Sequence, residues 1–466
     1  MRIPFVGPSY TLSSINAQAQ RTVNWYLKIV EAGDPPTLCL FPTPGLRLLA
    51  TVGDGPIRGL LRDGAYLYCV SGNKLYRVNA AFEAFLLGTI GTSVGPVSMA
   101  TNGTQICIVD GLSGYIVTVS SGAVAEINDS EFPFGANKVS YFDQYFVFSG
   151  ANGQTFQISS LGDGTTYDGL DFASAEGAPD NLTSHIVDHR ELWLFGPDSA
   201  EIWLNTGNAD FTFERSSNTF IETGCSAAYS VAKLDNSIFW LGSNAQGDGV
   251  VFRADGYKPV RISTHAIEHA MHGYSTTADA VAYTYQQEGH SFYVLTFPTA
   301  DKTWVYDVAV GQWHERMSFR DTDNSEHRHR SNCHAYFAGT HVVGDYENGK
   351  LYAMDLDVYT DNGSTIKRIR RAMAKDNELQ RVFYHLLELD IEAGVSGTMM
   401  LRWSNDGGHT WSNYKEASFG NTGQYEARCR FQRLGEGRAR IWEISVTDPV
   451  KAVVLGAIVN STDGAS

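Results

Sequence analysis

The stretch Ala-Tyr-Leu-Tyr-Cys-Val-Ser-Gly-Asn-Lys-Leu-Tyr-Arg-Val, residues 65–78, contains the pattern that decides the fold. Two short runs of aromatic and aliphatic residues lie on either side of the polar segment Ser71-Gly-Asn-Lys. Alternating runs that flank a glycine-containing turn are typical of a β-hairpin. Residues 65–78 therefore predict two antiparallel strands joined by a tight turn.

This hairpin pattern recurs along the chain. Its successive starts are Ala65, Gln105, Tyr145, Leu192, Ile238, Phe292 and Val342. The spacings between them run from 40 to 54 residues, and regular spacing of this order is typical of propeller blades. One large β-sandwich, or two, would be the alternative, which the regular spacing disfavours. Six and seven blades both remain open, because the first and last hairpins could share a blade.

The regions on either side of the repeats have different sequence patterns. Residues 1–56 include the turn-rich stretch Phe41-Pro-Thr-Pro-Gly-Leu, which predicts an irregular arm that wraps the domain or contacts a neighbour. Residues 357–466 contain several strand-like runs, which predict a small β-sandwich. The sequence thus predicts an all-β fold, in which a six- or seven-bladed β-propeller at 57–356 lies between an irregular N-terminal arm and a C-terminal β-sandwich-like domain.

Composition narrows the classes of function. The 466 residues include 35 basic and 51 acidic ones, a net charge of -16, which argues against tight non-specific binding to DNA phosphates. Six scattered cysteines without a CxxC pair indicate free thiols in a reducing compartment. No apolar run is long enough to span a membrane, and the first residues lack the features of a signal peptide. We expect a protein made in the cytoplasm, without a membrane span.

Two histidine-rich stretches are the candidates for metal binding. On a helix, His265, His269 and His272 would share one face, and His265-Ala-Ile-Glu-His matches an inverted zinc-protease motif. Cys333 and His334 end a polar segment that contains further histidines. We expect neither to bind metal, because neither has a clear complete ligand set. The sequence also lacks a Walker loop, a Rossmann fingerprint and a nucleophile elbow, so we expect no cofactor and no enzymatic activity.

A compact turn motif lies in the C-terminal region. Its defining residues are Ser404, Asp406, Gly408, Thr410 and Trp411. They fit the pattern of an Asp box, and the stretch resembles the turns that decorate sialidase propellers. In such a turn the Ser and Asp side chains bond backbone amides, glycine supplies a positive φ and the tryptophan packs beneath. We interpret this turn as structural.

A short basic run precedes that turn in the chain. It consists of Lys367, Arg368, Arg370 and Arg371. Residues 360–450 hold 13 basic and 12 acidic side chains, so this region is nearly neutral whereas the remainder is acidic. We predict that the run forms an exposed strand edge that pairs with carboxylates of a neighbouring protein. A solvated edge without a partner is the alternative.

Several stretches, taken together and in order, resemble one family. They are Gln20-Arg-Thr-Val-Asn-Trp-Tyr, Phe41-Pro-Thr-Pro-Gly-Leu, Gly55-Pro-Ile-Arg-Gly-Leu, Gly196-Pro-Asp-Ser-Ala-Glu-Ile-Trp, Ile221-Glu-Thr-Gly-Cys, Arg261-Ile-Ser-Thr-His-Ala-Ile-Glu and the Asp-box region. The sequence is similar here to the packaged-DNA stabilisation proteins, also called tail hub or nozzle proteins, of short-tailed bacteriophages.

The resemblance implies a structural protein of the virion tail, made in the host cytoplasm. It implies a homo-hexameric ring below the portal and its adaptor ring, which closes the DNA exit, stabilises packaged DNA and supports a tail needle, tailspike or tail fibre. Genomic DNA would pass through the lumen without sequence-specific binding. The alternative is a carbohydrate-binding or sialidase-like propeller. Ring size, host, tail partners, and lumen and gate residues stay open at this point.

Overall fold

The protein is described from a computed structural model. The described residues are 2–3, 5–12, 18–31, 37–150, 153–175, 181–208, 210–217, 219–244, 247–373, 380–392 and 394–464. Strand accounts for 55% of the structure and helix for 2%, which makes the chain all-β.

Six strands precede the predicted propeller. They are β1 (Arg2–Ile3), β2 (Tyr10–Thr11), β3 (Ala19–Val23), β4 (Trp25–Val30), β5 (Thr37–Pro42) and β6 (Gly45–Thr51). The arm is therefore more regular than its turn-rich sequence predicts. The reason is that β1, β3, β5 and β6 pair with strands far along the chain, which local sequence patterns do not reveal, while β2 pairs with β3 and β4 pairs with β5.

Four sheets of four strands each follow in sequence order. The first comprises β7 (Ile57–Asp63), β8 (Tyr66–Ser71), β9 (Lys74–Val78) and β10 (Ala84–Thr89). The second comprises β11 (Ser98–Thr101), β12 (Gln105–Val109), β13 (Gly114–Thr118) and β14 (Val124–Glu126). The third comprises β15 (Lys138–Phe142), β16 (Tyr145–Ser149), β17 (Thr155–Ile158) and β18 (Phe172–Ser174). The fourth comprises β19 (Ser184–Asp188), β20 (Glu191–Phe195), β21 (Ala200–Asn205) and β22 (Phe213–Arg215).

The next sheets carry additional strands. The fifth comprises β23 (Gly224–Cys225), β24 (Ala232–Leu234), β25 (Ser237–Asn244), β26 (Gly247–Asp255) and β27 (Lys258–Arg261). Helix α1 (His265–His272) leads into the sixth, with β28 (Val281–Gln287), β29 (His290–Phe297), β30 (Lys302–Asp307), β31 (Gln312–Arg320) and β32 (Ser325–Arg328). The seventh contains β33 (Ser331–Phe337), β34 (Thr340–Asp345) and β35 (Lys350–Asp355), with β6 as its fourth strand.

These sheets form a closed ring. Within the described residues, first strands of neighbouring sheets lie side by side, and β33 of the seventh sheet lies against β7 of the first. Between the fourth and fifth sheets, the Ser184 hydroxyl donates a hydrogen bond to the Ala228 carbonyl (2.7 Å). Each predicted hairpin supplies the second and third strands of a different sheet among the seven described here. The architecture is the predicted β-propeller.

Strands β36 (Thr360–Asp361) and β37 (Ser364–Thr365) extend the seventh sheet beyond β6. The remaining strands form the C-terminal domain. They are β38 (Arg368–Met373), β39 (Val382–Ile391), β40 (Thr398–Ser404), β41 (Lys415–Ser418), β42 (Cys429–Gln432), β43 (Glu436–Gly437), β44 (Ile441–Val446) and β45 (Val454–Asp463). One layer has the order β4-β5-β45-β39-β42, and the facing layer has the order β38-β44-β40-β41. Trp25, Leu387 and Trp442 are buried in the same hydrophobic core.

The arm joins the two domains. Strand β3 pairs in parallel with β31 of the propeller and antiparallel with β38 of the sandwich, so one sheet runs through both domains. Strands β4 and β5 belong to the sandwich, whereas β6 belongs to the propeller. Two domains that share a continuous sheet are held more rigidly than domains joined by a linker alone.

Candidate functional site

The predicted basic run lies inside the seam between the two domains. Strand β38 is flanked on both sides, by β3 and by β44. Arg368 and Arg370 are 0% exposed. The prediction of an exposed basic edge is therefore wrong for these two arginines. They share one face of the strand, because side chains two residues apart point the same way, and this face is covered by other parts of the chain.

The other two residues of the run are partly exposed and already paired within the chain. The Lys367 ammonium lies 3.0 Å from the Glu326 carboxylate. The Arg371 guanidinium lies 2.6 Å from Glu443. Nothing in these two ion pairs requires a neighbouring protein, so a role in assembly stays a prediction for Lys367 and Arg371.

Arg370 anchors the N-terminal arm. Its guanidinium donates hydrogen bonds to the carbonyls of Phe5 (2.5 Å) and Pro8 (2.8 Å). It also donates to the Thr22 hydroxyl (2.8 Å) and to the side-chain oxygen of Gln20 (2.5 Å). Burial lowers the pKa of Arg370 to about 9, which leaves it protonated at neutral pH. A single side chain thus holds two segments of the arm against the sandwich.

Oppositely charged side chains also cross the seam. Arg21 of β3 lies 2.8 Å from Glu315 of β31, and this carboxylate raises the pKa of Arg21. In the sandwich, Glu443 of β44 lies between Arg371 and Arg402, with the Arg402 contact at 2.5 Å. Glu443 is 1% exposed, so these bonds form largely out of water. Because Arg21 and Arg371 are opposite each other in the sheet, the two groups of charges are adjacent.

The Asp-box turn has the hydrogen bonds that its sequence predicts. The Ser404 hydroxyl donates to Asp406 (2.6 Å) and accepts from the Gly408 amide (2.8 Å). The Thr410 amide donates to the Asp406 carboxylate at 2.9 Å. Bonds from Ser404 and Thr410 hold the pKa of Asp406 below its usual range. Gly408 has a φ of 94°, which explains the preference for glycine.

Trp411 connects this turn to the charged seam. Its indole N–H donates to the Gly408 carbonyl at 3.1 Å. The Arg371 and Arg402 guanidinium groups each lie 4.7 Å from the centre of its ring. Contacts of this geometry are favourable cation–π interactions. The turn therefore supports the arginines that bind Glu443, which agrees with a structural interpretation.

The histidine-containing helix forms as predicted, with Thr264 as its N-cap. His265 is exposed and its Nδ1 accepts a hydrogen bond from Arg261 (2.9 Å). The His272 ring instead bonds the Glu268 carbonyl at 2.7 Å. His269 is exposed. In the described part of the chain, no group of three or more His, Cys, Asp or Glu side chains is arranged to hold a metal ion.

We predict that this helix does not take up zinc. Protein purified without a histidine tag and dialysed against zinc should retain less than about one zinc per ten chains, because a stable site needs three or four convergent ligands. Metal analysis of the wild type and of His265→Ala should give equal values. Stoichiometric zinc that disappears in the variant would contradict this prediction.

Cys333 and His334 face different surroundings, as neighbouring residues in a strand do. Cys333 packs on the hydrophobic core between the first and seventh sheets. The His334 ring stacks on Tyr283, and its Nε2 lies 3.1 Å from the Nδ1 of His341. The two residues therefore do not form a common ligand pair.

Polar contacts also join the third sheet to the fifth. The Tyr229 hydroxyl, between β23 and β24 of the fifth sheet, donates to the Asn137 carbonyl just before β15 of the third (2.7 Å). The Lys138 ammonium lies 5.2 Å from the centre of the Tyr229 ring, and burial lowers the pKa of Lys138 to about 8. These contacts link two sheets that are not neighbours in the ring.

Two buried histidines predict acid sensitivity. Burial lowers the pKa of both His185 and His329 to about 3. An unfolded chain binds these protons from about pH 6.5 downwards. The two histidines therefore do not lower the free energy of unfolding above that pH, but they lower it increasingly as the pH falls towards 3. Each histidine contributes a slope of about 1.4 kcal/mol per pH unit.

Urea unfolding at pH 7.5, 6.5 and 5.5 measures this slope. His185→Gln should flatten it by the contribution of one proton below pH 6.5. The exposed His385→Gln provides the matched control and should leave the slope unchanged. A wild-type slope already equal to that of His185→Gln would contradict the prediction.

Sequence reasoning missed most of the seam. Arg21, Glu315 and Glu443 were not singled out, although Glu443 stands in a strand-like run where an acidic side chain at a buried position is unusual. The one available signal was an acidic residue at a position where the strand pattern predicts a buried apolar one.

None of the described helices is long and apolar enough to cross a membrane.

Solved structures share only a distant likeness with this chain. A chain of the mitotic checkpoint complex is 12% identical, with 67% of this chain and 95% of that chain covered and a TM-score of 0.42. PorZ, from the type-IX secretion system of Porphyromonas gingivalis, is 13% identical, with coverages of 81% and 46% and a TM-score of 0.40. These likenesses carry no conclusion about function. Curated proteins give no sequence match.

Two family models match consecutive parts of the chain. Residues 3–359 match the model described as bacteriophage P22 Gp10, beta-propeller. Residues 368–462 match the one described as bacteriophage P22 Gp10, beta-sandwich. The family consists of phage structural proteins and is not an enzyme family. The chain therefore belongs to the bacteriophage P22 Gp10 family of tail hub, or nozzle, proteins, and is a structural component of a phage tail.

Proposed function

We propose that this protein forms a ring below the portal and its adaptor ring in a short-tailed phage. The ring closes the DNA exit after packaging, stabilises the packaged DNA and supports a tail needle, tailspike or tail fibre. The observation that carries this proposal is the match of both family domains, in order, along one chain. Six copies per ring is the stoichiometry that the family resemblance implies.

The physical character of the chain supports such a role. The shared sheet and the buried charges of the seam join propeller and sandwich without a flexible linker. A rigid unit of this kind suits a ring that must resist the pressure of packaged DNA. The net charge of -16 opposes adhesion of DNA phosphates, so DNA can slide through during ejection. The packaged DNA is then retained by steric closure of the exit rather than by electrostatic attraction.

Assembly with the adaptor ring tests the proposal. The purified protein is mixed with its phage's adaptor ring and examined by sedimentation velocity and negative-stain electron microscopy. We expect a ring with six-fold symmetry attached to one face of the adaptor. A protein that remains monomeric and does not bind the adaptor at about 0.15 M salt, where surface charges are largely screened beyond 8 Å, would contradict the proposal.

The nearly neutral sandwich is the part that we propose for contacts with neighbours. Reversing the charges of the whole basic run would not test these contacts, because Arg368 and Arg370 are buried and their replacement by Glu would unfold the chain. Arg428→Glu combined with Arg438→Glu changes exposed charges instead. We expect normal circular dichroism and weaker assembly, since rim charges govern association more than folding. Unchanged assembly would contradict a contact between this face of the sandwich and a neighbouring protein.

The carbohydrate-directed alternative makes the opposite prediction. A sialidase-like or lectin propeller would bind or cleave glycans at its axis. We expect no turnover of sialosides or common glycosides and no binding on a glycan array, because the chain belongs to a family of phage structural proteins. Reproducible hydrolysis that is lost when one carboxylate is mutated would favour the alternative.

A further inference from the structure

Ser325, His327 and Asp301 form a chain of hydrogen bonds in the sixth sheet. The Ser325 hydroxyl lies 2.6 Å from the Nε2 of His327. The Nδ1 of the same ring lies 2.8 Å from the Asp301 carboxylate. A nucleophile, a general base and a carboxylate that orients the base have this arrangement in serine hydrolases.

Two turns bring these three residues together. Ser325 and His327 both belong to β32, and side chains two residues apart in a strand point the same way. Asp301 comes from the turn between β29 and β30, where its φ is 55°. Its second carboxylate oxygen accepts a hydrogen bond from the Arg328 amide (2.8 Å), which holds it against β32. Because such a triad is defined by geometry and not by sequence spacing, no sequence motif revealed it.

The hydrogen bonds determine where the His327 ring carries its proton. A carboxylate only accepts hydrogen bonds, so the neutral imidazole has its proton on the Nδ1 that faces Asp301. The Nε2 then has a free electron pair next to the Ser325 hydroxyl. The His327 side chain is 27% exposed and Ser325 is partly exposed, so a reactant in solution can reach both.

Asp323 is a second acceptor for the hydroxyl proton. Its Oδ1 lies 2.5 Å from the Ser325 hydroxyl and also accepts from the Ser325 amide at 3.1 Å. A hydroxyl has one proton, so it donates either to Asp323 or to His327. The first orientation leaves the serine unreactive, and the second activates it as a nucleophile.

A guanidinium group lies on the same face of the hairpin. Arg320 is directly opposite Ser325 in the ladder between β31 and β32, so the two side chains point to the same side. The guanidinium lies 3.8 Å from Asp323 and 2.8 Å from Glu347, and the side chain is 40% exposed. Positive charge at this place stabilises an oxyanion that forms when the serine attacks a carbonyl group.

We propose that Ser325 is a nucleophile that cleaves short-chain carboxylic esters, with His327 as general base and Asp301 as a positioning residue. The Ser325 oxygen forms a bond to the ester carbonyl carbon while its proton moves to the Nε2 of His327. The bond to the alcohol oxygen then breaks, and the alcohol takes that proton. Water attacks the acyl group and gives a proton to Nε2, which returns it to the serine oxygen as the carboxylic acid leaves.

The surroundings favour a small acyl group. The cavity that adjoins His327 and Asp301 has a volume of about 10 Å³. This is room for about one water molecule and is too small for a long acyl chain. An acetyl ester is therefore the substrate class that fits. The alcohol part would remain in solvent, where its size is not restricted.

Covalent labelling tests the nucleophile. The full chain is treated with a biotin-linked fluorophosphonate, because an activated serine attacks its phosphorus atom and displaces fluoride. We expect peptide mass spectrometry to find the adduct on Ser325, and His327→Ala to slow its formation about 100-fold. An unlabelled Ser325, under conditions in which a known serine esterase reacts fully, would overturn the proposal. So would equally fast labelling of His327→Ala.

Hydrolysis of p-nitrophenyl acetate tests turnover. We expect Ser325→Ala to lower the rate about 100-fold. The matched control is His189→Ala, because His189 also contacts a carboxylate, that of Asp188 (2.7 Å), but its Nε2 contacts Asn236 (2.7 Å) instead of a serine. This control should keep the wild-type rate. Equal rates for the wild type and Ser325→Ala would attribute the hydrolysis to other surface groups and refute the proposal.

A third variant tests the positioning role of Asp301. Asp301→Asn should lower kcat for p-nitrophenyl acetate and leave KM unchanged, since Asp301 orients His327 without touching the substrate. Circular dichroism checks that the variant is folded. An unchanged kcat would contradict the assigned role. All three tests use the isolated full chain, so their outcome does not depend on ring formation.

Discussion

Replacing Glu443 with glutamine is expected to lower the free energy of unfolding by about 3–5 kcal/mol. The carboxylate is 1% exposed and lies 2.6 Å from Arg371 and 2.5 Å from Arg402. Glutamine preserves the shape of the side chain but removes its charge. Two guanidinium groups would then face each other, partly buried, without the anion that offsets their repulsion.

Urea unfolding of the wild type and of Glu443→Gln measures this loss. The matched control is Glu388→Gln, because Glu388 also binds two arginines of the sandwich, Arg428 and Arg430, but is 28% exposed. We expect the control to lose only about 0–1 kcal/mol, as surface ion pairs do. Equal losses for the two variants would show that burial of Glu443 does not matter.

Replacing Arg370 with methionine is expected to release the N-terminal arm and to cost about 3 kcal/mol of stability. Methionine fills part of the volume but leaves four acceptors without their donor. These acceptors are the Phe5 and Pro8 carbonyls, the Gln20 side chain and the Thr22 hydroxyl. Removal of a buried charge offsets part of this loss, so the net effect is smaller than the sum of four bonds.

Hydrogen exchange and limited proteolysis distinguish this release from general destabilisation. In Arg370→Met, amides within residues 5–12 and 18–23 should exchange faster than those of the first propeller sheet. Arg438→Met is the control, because this arginine is exposed. Arg370→Lys should recover part of the protection, since lysine keeps the charge and some donors. Unchanged protection of the arm in Arg370→Met would contradict the assigned anchoring role.

The propeller was predictable because its hairpins are local. The second and third strands of each sheet are buried and adjacent in sequence, so alternating apolar residues and a turn identify them. Short edge strands such as β14 and β22 carry weaker patterns, because much of their surface faces water. The strands of the arm that pair at long range, such as β1 and β6, were not predictable in this way. Arg2 pairs with Ile458, and no local feature of residues 1–56 indicates so distant a partner.

The candidate site likewise has one part that the sequence predicted and one part that it did not. All hydrogen bonds of the Asp-box turn lie within eight residues, so its sequence predicted its geometry. The basic run gave the opposite result, because arginine and lysine are usually exposed. The alternation of Arg368 and Arg370 predicted a strand with these side chains on one face. It could not show that the arm covers Arg370, because that contact depends on residues more than 340 positions away.

The pairing of β1 with β45 constrains the order of events during synthesis. A ribosome releases residues 2–3 long before residues 457–458, so the first strand must wait for a partner that does not yet exist. Strand β6 likewise waits for β35, some 300 residues later, before the seventh sheet is complete. Contacts between such distant residues form slowly. Until they form, the unpaired edges of these strands can pair with strands of other nascent chains. A polysome producing this protein thus carries many unclosed rings, whose closure competes with aggregation until translation of each chain is nearly finished.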